Sequence, residues 1–311
     1  MTSNNTASPQ KDQDARDALT SRRVPTMVLS TASNPLTAPI VRDSSLNSVN
    51  RAKARFATEG NAVLTGGAGG LGLAAARALF EHGLTSMCLF DLPSTLTSSS
   101  AAISALRSEF PGNSIHEIPV DVTSATAVTD AFSQAISIMG GIDILCCFAG
   151  IVGTVRSEDA TAEQFRKVID VNLTGSFLCA QAAARHMIAS KKGGSIMLTS
   201  SISAHHVNYP QPQAAYNVSK IGVSHLTRNL AAEWATHGIR VNSISPGYMD
   251  TVLNAGDNLQ ELRDMWASRC PFGRMGDAEE ITGAVVLLCS KRGGGYITGC
   301  DMIIDGGAMT L

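Results

Sequence analysis

The stretch TGGAGGLG, residues 65–72, follows a short apolar run, Asn61–Thr65, and opens an Ala-rich helical pattern over residues 71–82. Strand, glycine loop and helix in that order are the first unit of a nucleotide-binding parallel sheet, which narrows the possible folds sharply. Gly66 permits a tight turn, Gly70 lets the backbone approach a pyrophosphate, and Gly72 permits close packing of helix on sheet. Leu71 and its neighbours bring the N–H donors of a helix amino end towards the phosphates. Gly83 is placed to cap that helix.

Six more β-type runs alternate with helical patterns, at residues 86–91, 115–120, 142–148, 195–199, 240–245 and 302–304. This alternation predicts one α/β domain, a doubly wound parallel sheet of Rossmann type with helices on both faces. Two longer helices are expected over residues 162–190 and 214–237. Residues 249–277 break the alternation with a charged helix containing Met and Trp, which reads as a small lid over the carboxyl ends of the strands.

At 311 residues and 44% apolar composition the chain can bury one large core, and residues 51–311 suffice for the domain. Residues 1–50, rich in Ser, Thr, Asn and Pro, read as a flexible amino-terminal arm. A net charge of -2 with mixed signs argues against a nucleic-acid surface and for small-molecule partners. Five of the seven cysteines (Cys88, Cys146, Cys147, Cys179, Cys289) sit in apolar runs without metal-ligand spacing, so they are expected as reduced core thiols. No apolar run approaches the ~20 residues of a membrane span, and no secretion signal opens the chain, so the expected location is cytoplasmic. Arg22 and Arg23 hint at an organelle, but Asp12, Asp14 and Asp17 oppose a transit peptide.

Asp91 ends the second strand 19 residues beyond Gly72, where a carboxylate accepts hydrogen bonds from the adenosine ribose 2'-OH. A 2'-phosphate there would meet that charge with no Arg or Lys in the glycine loop or at residues 92–94 to offset it, so the spacing favours NAD. The plainer reading of Asp91 is a strand-end cap.

The motif YNVSK sets Tyr216 and Lys220 four residues apart on one helix face. Upstream lie a strand ending TSSIS, residues 199–203, and VNLTG around Asn172; downstream lies SPGYMDT, residues 245–251. In that order these motifs resemble the short-chain dehydrogenase/reductase family over some four fifths of the chain. The resemblance implies hydride transfer on the pro-S face of a nicotinamide. Ser201 would hold the substrate oxygen, Tyr216 would exchange its proton, Lys220 would bind the nicotinamide ribose, and the main chain at Asn172 would hold a relay water. Ser203 is the alternative serine; Ser201 holds the usual motif position. By the same resemblance Asp121 and Val122 lie beside adenine, Ala149 and Gly150 give main-chain contacts, Pro246 and Gly247 cradle nicotinamide, and Met249 and Thr251 bind its carboxamide. One departure is CFAG at residues 147–150, where the family has NNAG.

A free tyrosine near pKa 10 is a poor base at neutral pH, and Lys220 with a positive nicotinamide ring is expected to draw Tyr216 down by about 3 units. His205 and His206 point different ways without a carboxylate at ligand spacing, so no metal is expected there; Cys146 and Cys147 alternate across a strand and are not a redox pair. The motif set further resembles the polyol and ketose branch, with sorbose reductases and D-arabinitol 2-dehydrogenases, and Asn208, Gln211 and Gln213 offer neutral hydrogen bonds to hydroxyls. Competing readings are a ketone reductase of secondary metabolism, a sugar-nucleotide epimerase, and an NAD-binding regulator without turnover. The glycine spacing and the 95 residues after Tyr216 disfavour the epimerase. Phe177, Leu178, Leu226 and Leu230 on the long helices suggest a homodimer or homotetramer, as the resemblance also implies, with residues 301–307 near an interface.

Overall fold

A computed structural model describes residues 17, 18, 21, 24–251 and 259–311; Asp12, Asp14, Arg22 and Arg23 lie outside the described residues. The strands are β1 (Asn61–Thr65), β2 (Ser86–Asp91), β3 (Ser114–Pro119), β4 (Ile144–Cys147), β5 (Gly194–Thr199), β6 (Ile239–Pro246) and β7 (Asp301–Ile304). They pair as one parallel sheet in the order β3-β2-β1-β4-β5-β6-β7. Strand order reverses between β1 and β4, and sheets of this kind hold ligands beyond the carboxyl ends at that point.

Helices follow in chain order: α1 (Ser48–Arg55), α2 (Gly70–Glu81), α3 (Pro93–Ser98), α4 (Ser100–Glu109) and α5 (Ala125–Met139). The second half carries α6 (Ala162–Ile169), α7 (Gly175–Ser190), α8 (Ala214–Trp234), α9 (Gln260–Ser268) and α10 (Thr282–Cys289). The period of two along each strand sends side chains to opposite layers. Val63, Leu145 and Leu198 pack with Phe132 of α5, Met187 of α7 and Leu230 of α8. Leu64, Cys146 and Met197 pack with Leu79 of α2, Ile103 of α4 and Leu288 of α10. Both faces are covered, which is why the central strands read as continuous apolar runs.

The long helix expected over residues 162–190 is two helices. Between α6 and α7 lies one wider π turn, Asp170–Thr174. That turn carries Asn172 inward, where its carboxamide bonds both main-chain groups of Ile151. A single inserted turn of this type commonly marks a site where a helix gives up regularity for a buried contact. β4 is shorter than expected, although Asp143 N donates to Asn61 O (2.9 Å) and Phe148 N to Thr65 O (2.7 Å) on either side of it.

The described part of the amino-terminal segment lies along the amino end of β6, opposite the site. Asn34 Nδ2 donates to Thr236 O at 2.8 Å, and Leu36 sits so close to Gly238 that a Cβ there would come within 2.7 Å of it. At the other end, α9 is tied back to the turn after β6. Asp250 N donates to Gly276 O at 2.7 Å, Gly276 N to Tyr248 O at 2.9 Å, and Arg263 pairs with Asp250 at 2.9 Å. Residues 252–258 of the expected lid lie outside the described residues. Among the described residues no helix is long and apolar enough to cross a membrane.

Candidate active site

The glycine loop turns at the carboxyl end of β1, with Gly66 at φ +64°. A Cβ on Gly66 would come within 2.5 Å of Ala149 N, and one on Gly72 within 2.4 Å of Gly66 O, so backbone packs on backbone at both positions. Gly70 differs, since a Cβ there would meet only Thr251, at 3.6 Å. Its glycine therefore leaves the amino end of α2 open to a ligand instead of relieving a clash within the protein, as a dinucleotide phosphate requires. Leu71 packs against the core layer of α2, which leaves its main chain for any ligand contact. The donor set and the cradle fit a dinucleotide.

Asp91 ends β2 beside this loop. Its Oδ2 accepts from Ala68 N (3.2 Å) and its Oδ1 from Leu92 N (2.9 Å), so it braces the loop as a strand-end cap. Each carboxylate oxygen keeps further lone-pair capacity for a ribose hydroxyl. The Asp121 side chain turns into its own bend, accepting from Thr123 N and Thr123 Oγ1, while Val122 is buried against Gly175.

Beyond β4, Gly150 lies where a Cβ would be 3.3 Å from Asn172 Oδ1 and 3.7 Å from Lys220 Nζ. Asn172 is buried. Its Oδ1 accepts from Ile151 N (2.8 Å), its Nδ2 donates to Ile151 O (2.9 Å) and Ser219 Oγ (3.0 Å), and its main-chain oxygen accepts from Ser176 Oγ (2.7 Å). The carboxamide thus ties the β4 exit to α8.

Ser201 caps a short 3₁₀ turn, Ile202–Ala204, after β5. It hydrogen-bonds the Tyr216 phenol on one side and donates to Ser203 Oγ at 3.0 Å on the other. Ser201 therefore faces Tyr216, and Ser203 stands behind it. Lys220 follows one helical turn after Tyr216, its Nζ 5.5 Å from the ring centroid and donating to Thr199 O at 2.8 Å. Burial dominates the electrostatics of both groups. It pulls the Lys220 ammonium from 10.5 down to about 8, and it pushes the Tyr216 phenol above 10.0 despite the Ser201 hydrogen bond, with Tyr248 adding to the rise. Burial thus sets the direction for the phenol in the protein alone, while the expected lowering belongs to a site that also holds a positive nicotinamide ring.

Pro246 ends β6, and Gly247 follows with its N–H on Ile304 O at 2.9 Å; a Cβ at Gly247 would come within 3.0 Å of Asp305. Met249 is buried, and Thr251 lies against Gly70, which joins this turn to the glycine loop. His205 Nε2 contacts Asp301 Oδ2 (3.0 Å) and Ser245 Oγ (3.3 Å), whereas His206 turns towards Met309. Cys146 and Cys147 enter opposite core layers.

The contacts among several residues at the site carried no sequence signal. Tyr248 OH donates to Gln211 Oε1 (3.2 Å), which also accepts from Trp266 Nε1 (3.1 Å), and the two aromatic rings stack at 4.4 Å and 7°. Gln213 Nε2 is likewise engaged, on Asn217 Oδ1 at 3.3 Å. Each of the three loop amides proposed to meet hydroxyls has one atom committed within the protein, Asn208 through its Nδ2 on Tyr248 OH at 3.0 Å. Tyr248 sits inside the SPGYMDT motif, so its position was visible; its partners were not.

The family model described as enoyl-(acyl carrier protein) reductase matches residues 66–309. The chain is 35% identical over 256 residues to D-arabinitol 2-dehydrogenase (ribulose-forming) of Candida tropicalis, covering 79% of this chain and 90% of that protein. It is 38% identical over 269 residues to an NADP-dependent mannitol dehydrogenase of Hypocrea jecorina, covering 84% and 97%. A crystal structure of a short-chain type dehydrogenase/reductase from Mycobacterium marinum superposes with a TM-score of 0.76 at 38% identity, covering 82% of this chain and 98% of that one. Sequence, sheet order and structural neighbours agree, and the chain belongs to the short-chain dehydrogenase/reductase family.

Proposed function

We propose that the chain is an NAD(H)-dependent oxidoreductase interconverting the secondary alcohol of a polyol and the matching ketose. The observation that carries this reading is the convergence of Ser201, Tyr216 and Lys220 beyond the carboxyl ends of β5 and β6, beside the glycine loop and Gly150. Polyol dehydrogenases among the relatives support the substrate class. The family binds nicotinamide cofactors.

In the proposed mechanism the Ser201 hydroxyl holds the substrate oxygen, and Tyr216 exchanges a proton with it. A nicotinamide cofactor held beside the glycine loop would supply the hydride chemistry at the carbinol carbon in either direction, and the side chains of the site handle the proton. During reduction Tyr216 gives its phenolic proton to the carbonyl oxygen; during oxidation it takes the alcohol proton. Lys220 is poised to hold the nicotinamide ribose and to stabilise the phenolate. Asn172 fixes the main chain at Ile151 and, through its own main chain, offers a place for a relay water that re-protonates this pair. Gly66, Gly70, Leu71, Gly72, Asp91, Asp121, Val122, Ala149, Gly150, Pro246, Gly247, Met249 and Thr251 complete the proposed cofactor contacts.

Asp91 supports NAD over NADP, although a mannitol-acting relative is NADP-dependent. Asp91→Ala should lower kcat/KM for NADH about tenfold or more, from loss of hydrogen bonds to the ribose, and raise the NADPH to NADH ratio further by removing the charge that a 2'-phosphate would meet. Steady-state kinetics with both cofactors checks this; higher kcat/KM for NADPH in the unaltered protein contradicts it.

A second reading, reduction of a cyclic ketone, is favoured by the stacked wall of Tyr248 and Trp266. A rate panel of C4 to C6 polyols, ketoses and cyclic ketones separates the two. The polyol reading expects kcat/KM for the best ketose to exceed that for cyclic ketones by at least about tenfold; the reverse order refutes it. Self-association through α7 and α8 is also proposed, since a groove of about 390 Å3 there is lined by Phe177, Ile188, Leu226 and Trp234.

A further inference from the structure

Asp301 opens β7 with its side chain only 4% exposed, and donors from three residues meet on it. Ser243 Oγ donates to its Oδ1 at 2.8 Å, and Ser245 Oγ donates to its Oδ1 and Oδ2 at 2.9 and 3.0 Å. His205 Nε2 lies 3.0 Å from its Oδ2. A carboxylate only accepts, so Nε2 carries the hydrogen, and Ser245, having given its proton to Asp301, can accept from the same nitrogen at 3.3 Å. A carboxylate withdrawn from water is costly unless such donors surround it, so these contacts hold firmly.

The two serines belong to β6, beside β7, but His205 comes from elsewhere. It closes the short turn Ile202–Ala204 that Ser201 opens, with Ala204 N donating to Ser201 O at 2.9 Å and His205 N to Ile202 O at 2.8 Å. The pairing of β5 with β6 runs from Gly194 with Ile239 to Thr199 with Ile244, and Ser200 N adds one bond to Ile244 O at 2.8 Å. Past that bond the tie passes to side chains, His205 reaching Ser245 and Asp301. Ser245 leads directly into Pro246 and Gly247. One ring thus joins the turn that presents Ser201 to a strand end 40 residues away that is proposed to cradle nicotinamide. His206, the next residue, turns to Met309 instead.

We propose that His205 is a positioning residue for hydride transfer, holding the Ser201 turn in register with the Pro246–Gly247 turn through Asp301 and Ser245. It acts through those contacts and not on the reacting atoms. In the proposed function one turn holds the substrate oxygen and the other the nicotinamide, so a small displacement between them slows the reaction while each partner still binds. The inference rests on the oxidoreductase reading and adds a residue to its geometry.

In His205→Ala, kcat for the best substrate of the panel should fall about 10- to 100-fold, while KM and the NADH affinity read by fluorescence stay within about threefold. The isotope effect on kcat for a polyol deuterated at the carbinol should be at least as large as in the unaltered protein, since hydride transfer is the slowed step. His205→Gln places an amide donor where Nε2 stands and should hold kcat within about threefold of the unaltered protein; His205→Asn, one methylene shorter, should not. Amide hydrogen exchange of the cofactor-free protein gives a readout apart from turnover. Residues 202–206 should exchange faster in the alanine and asparagine variants, and at the ordinary rate in the glutamine variant. If His205→Ala does not fold, the glutamine and asparagine variants carry the comparison. Unchanged kcat with faster exchange, a loss confined to substrate KM, a vanished isotope effect, or equal losses in the glutamine and asparagine variants would each overturn the role of His205 and leave the oxidoreductase reading standing. Absence of turnover in the unaltered protein overturns both.

Discussion

Tyr216→Phe is expected to lower turnover by about 10²- to 10⁴-fold in both directions while cofactor affinity stays within a few-fold. The substitution removes one oxygen and keeps the ring that packs 5.5 Å from Lys220 Nζ. Ser201 retains its bond to Ser203, so the turn after β5 keeps its anchor. What disappears is the proton that must move with the hydride. Burial holds the phenol above its ordinary 10.0, so the cofactor-free protein carries that proton throughout the neutral range. Reduction is then expected to hold its rate at neutral pH and decline on the alkaline side, whereas oxidation should rise with pH as the phenol is relieved of its proton. Initial rates across pH, with NADH binding followed by fluorescence, check both statements. Comparable turnover in the variant would remove Tyr216 from the proposed role.

Lys220→Met should abolish turnover and at the same time make the cofactor-free protein more stable at pH 7. Lys220 is 4% exposed, and its ammonium falls from 10.5 to about 8 through burial. Below about pH 8 both folded and unfolded chains carry the proton, and the full cost of burying the charge is present. Between about 8 and 10.5 the unfolded chain binds the proton and the folded chain does not, so this residue adds stability as pH rises through that window. The shift corresponds to about 3 kcal/mol. Losing the hydrogen bond to Thr199 O returns about 1 kcal/mol of that, so Met at this position should gain about 2 kcal/mol at pH 7. The gain should shrink towards pH 10. Denaturant melts at the two pH values measure it; a loss of stability of equal size at both would contradict the electrostatic account. A charged group kept in place at this cost is consistent with a role in binding the cofactor and supporting Tyr216.

The two amino-terminal strands were legible because each is an apolar run that stops at a chemical boundary. β1 stops at the glycine loop and β2 at Asp91. The break between α6 and α7 was not legible, since residues 162–190 carry no Pro and no breaker strong enough to end a helix. Its cause lies in Ile151 and Ser219, which hold the Asn172 carboxamide from 21 and 47 residues away. Asp91 was read two ways from spacing, and both oxygens do cap main-chain N–H groups beside the loop that the ribose reading needs. The motifs marked Ser201, Tyr216 and Lys220, but not the burial that raises the phenol in the protein alone, which depends on how dry the pocket is. The wall of Tyr248, Gln211, Trp266 and Asn208 was beyond sequence spacing for the same reason as the π turn. Its hydrogen bonds join residues 37, 55 and 40 positions apart, and only the folded chain brings them together.

The central claim is that this site moves a hydride from a polyol carbon to NAD while Tyr216 takes the hydroxyl proton. A polyol deuterated at the reacting carbinol, incubated with NAD+ and the protein, tests it directly by mass spectrometry of the nicotinamide product. The account predicts NADH carrying one deuterium, formed by the unaltered protein and not at a comparable rate by Tyr216→Phe. NAD binding with no deuterium transferred from any C4 to C6 polyol would contradict it and would favour an NAD-binding regulator.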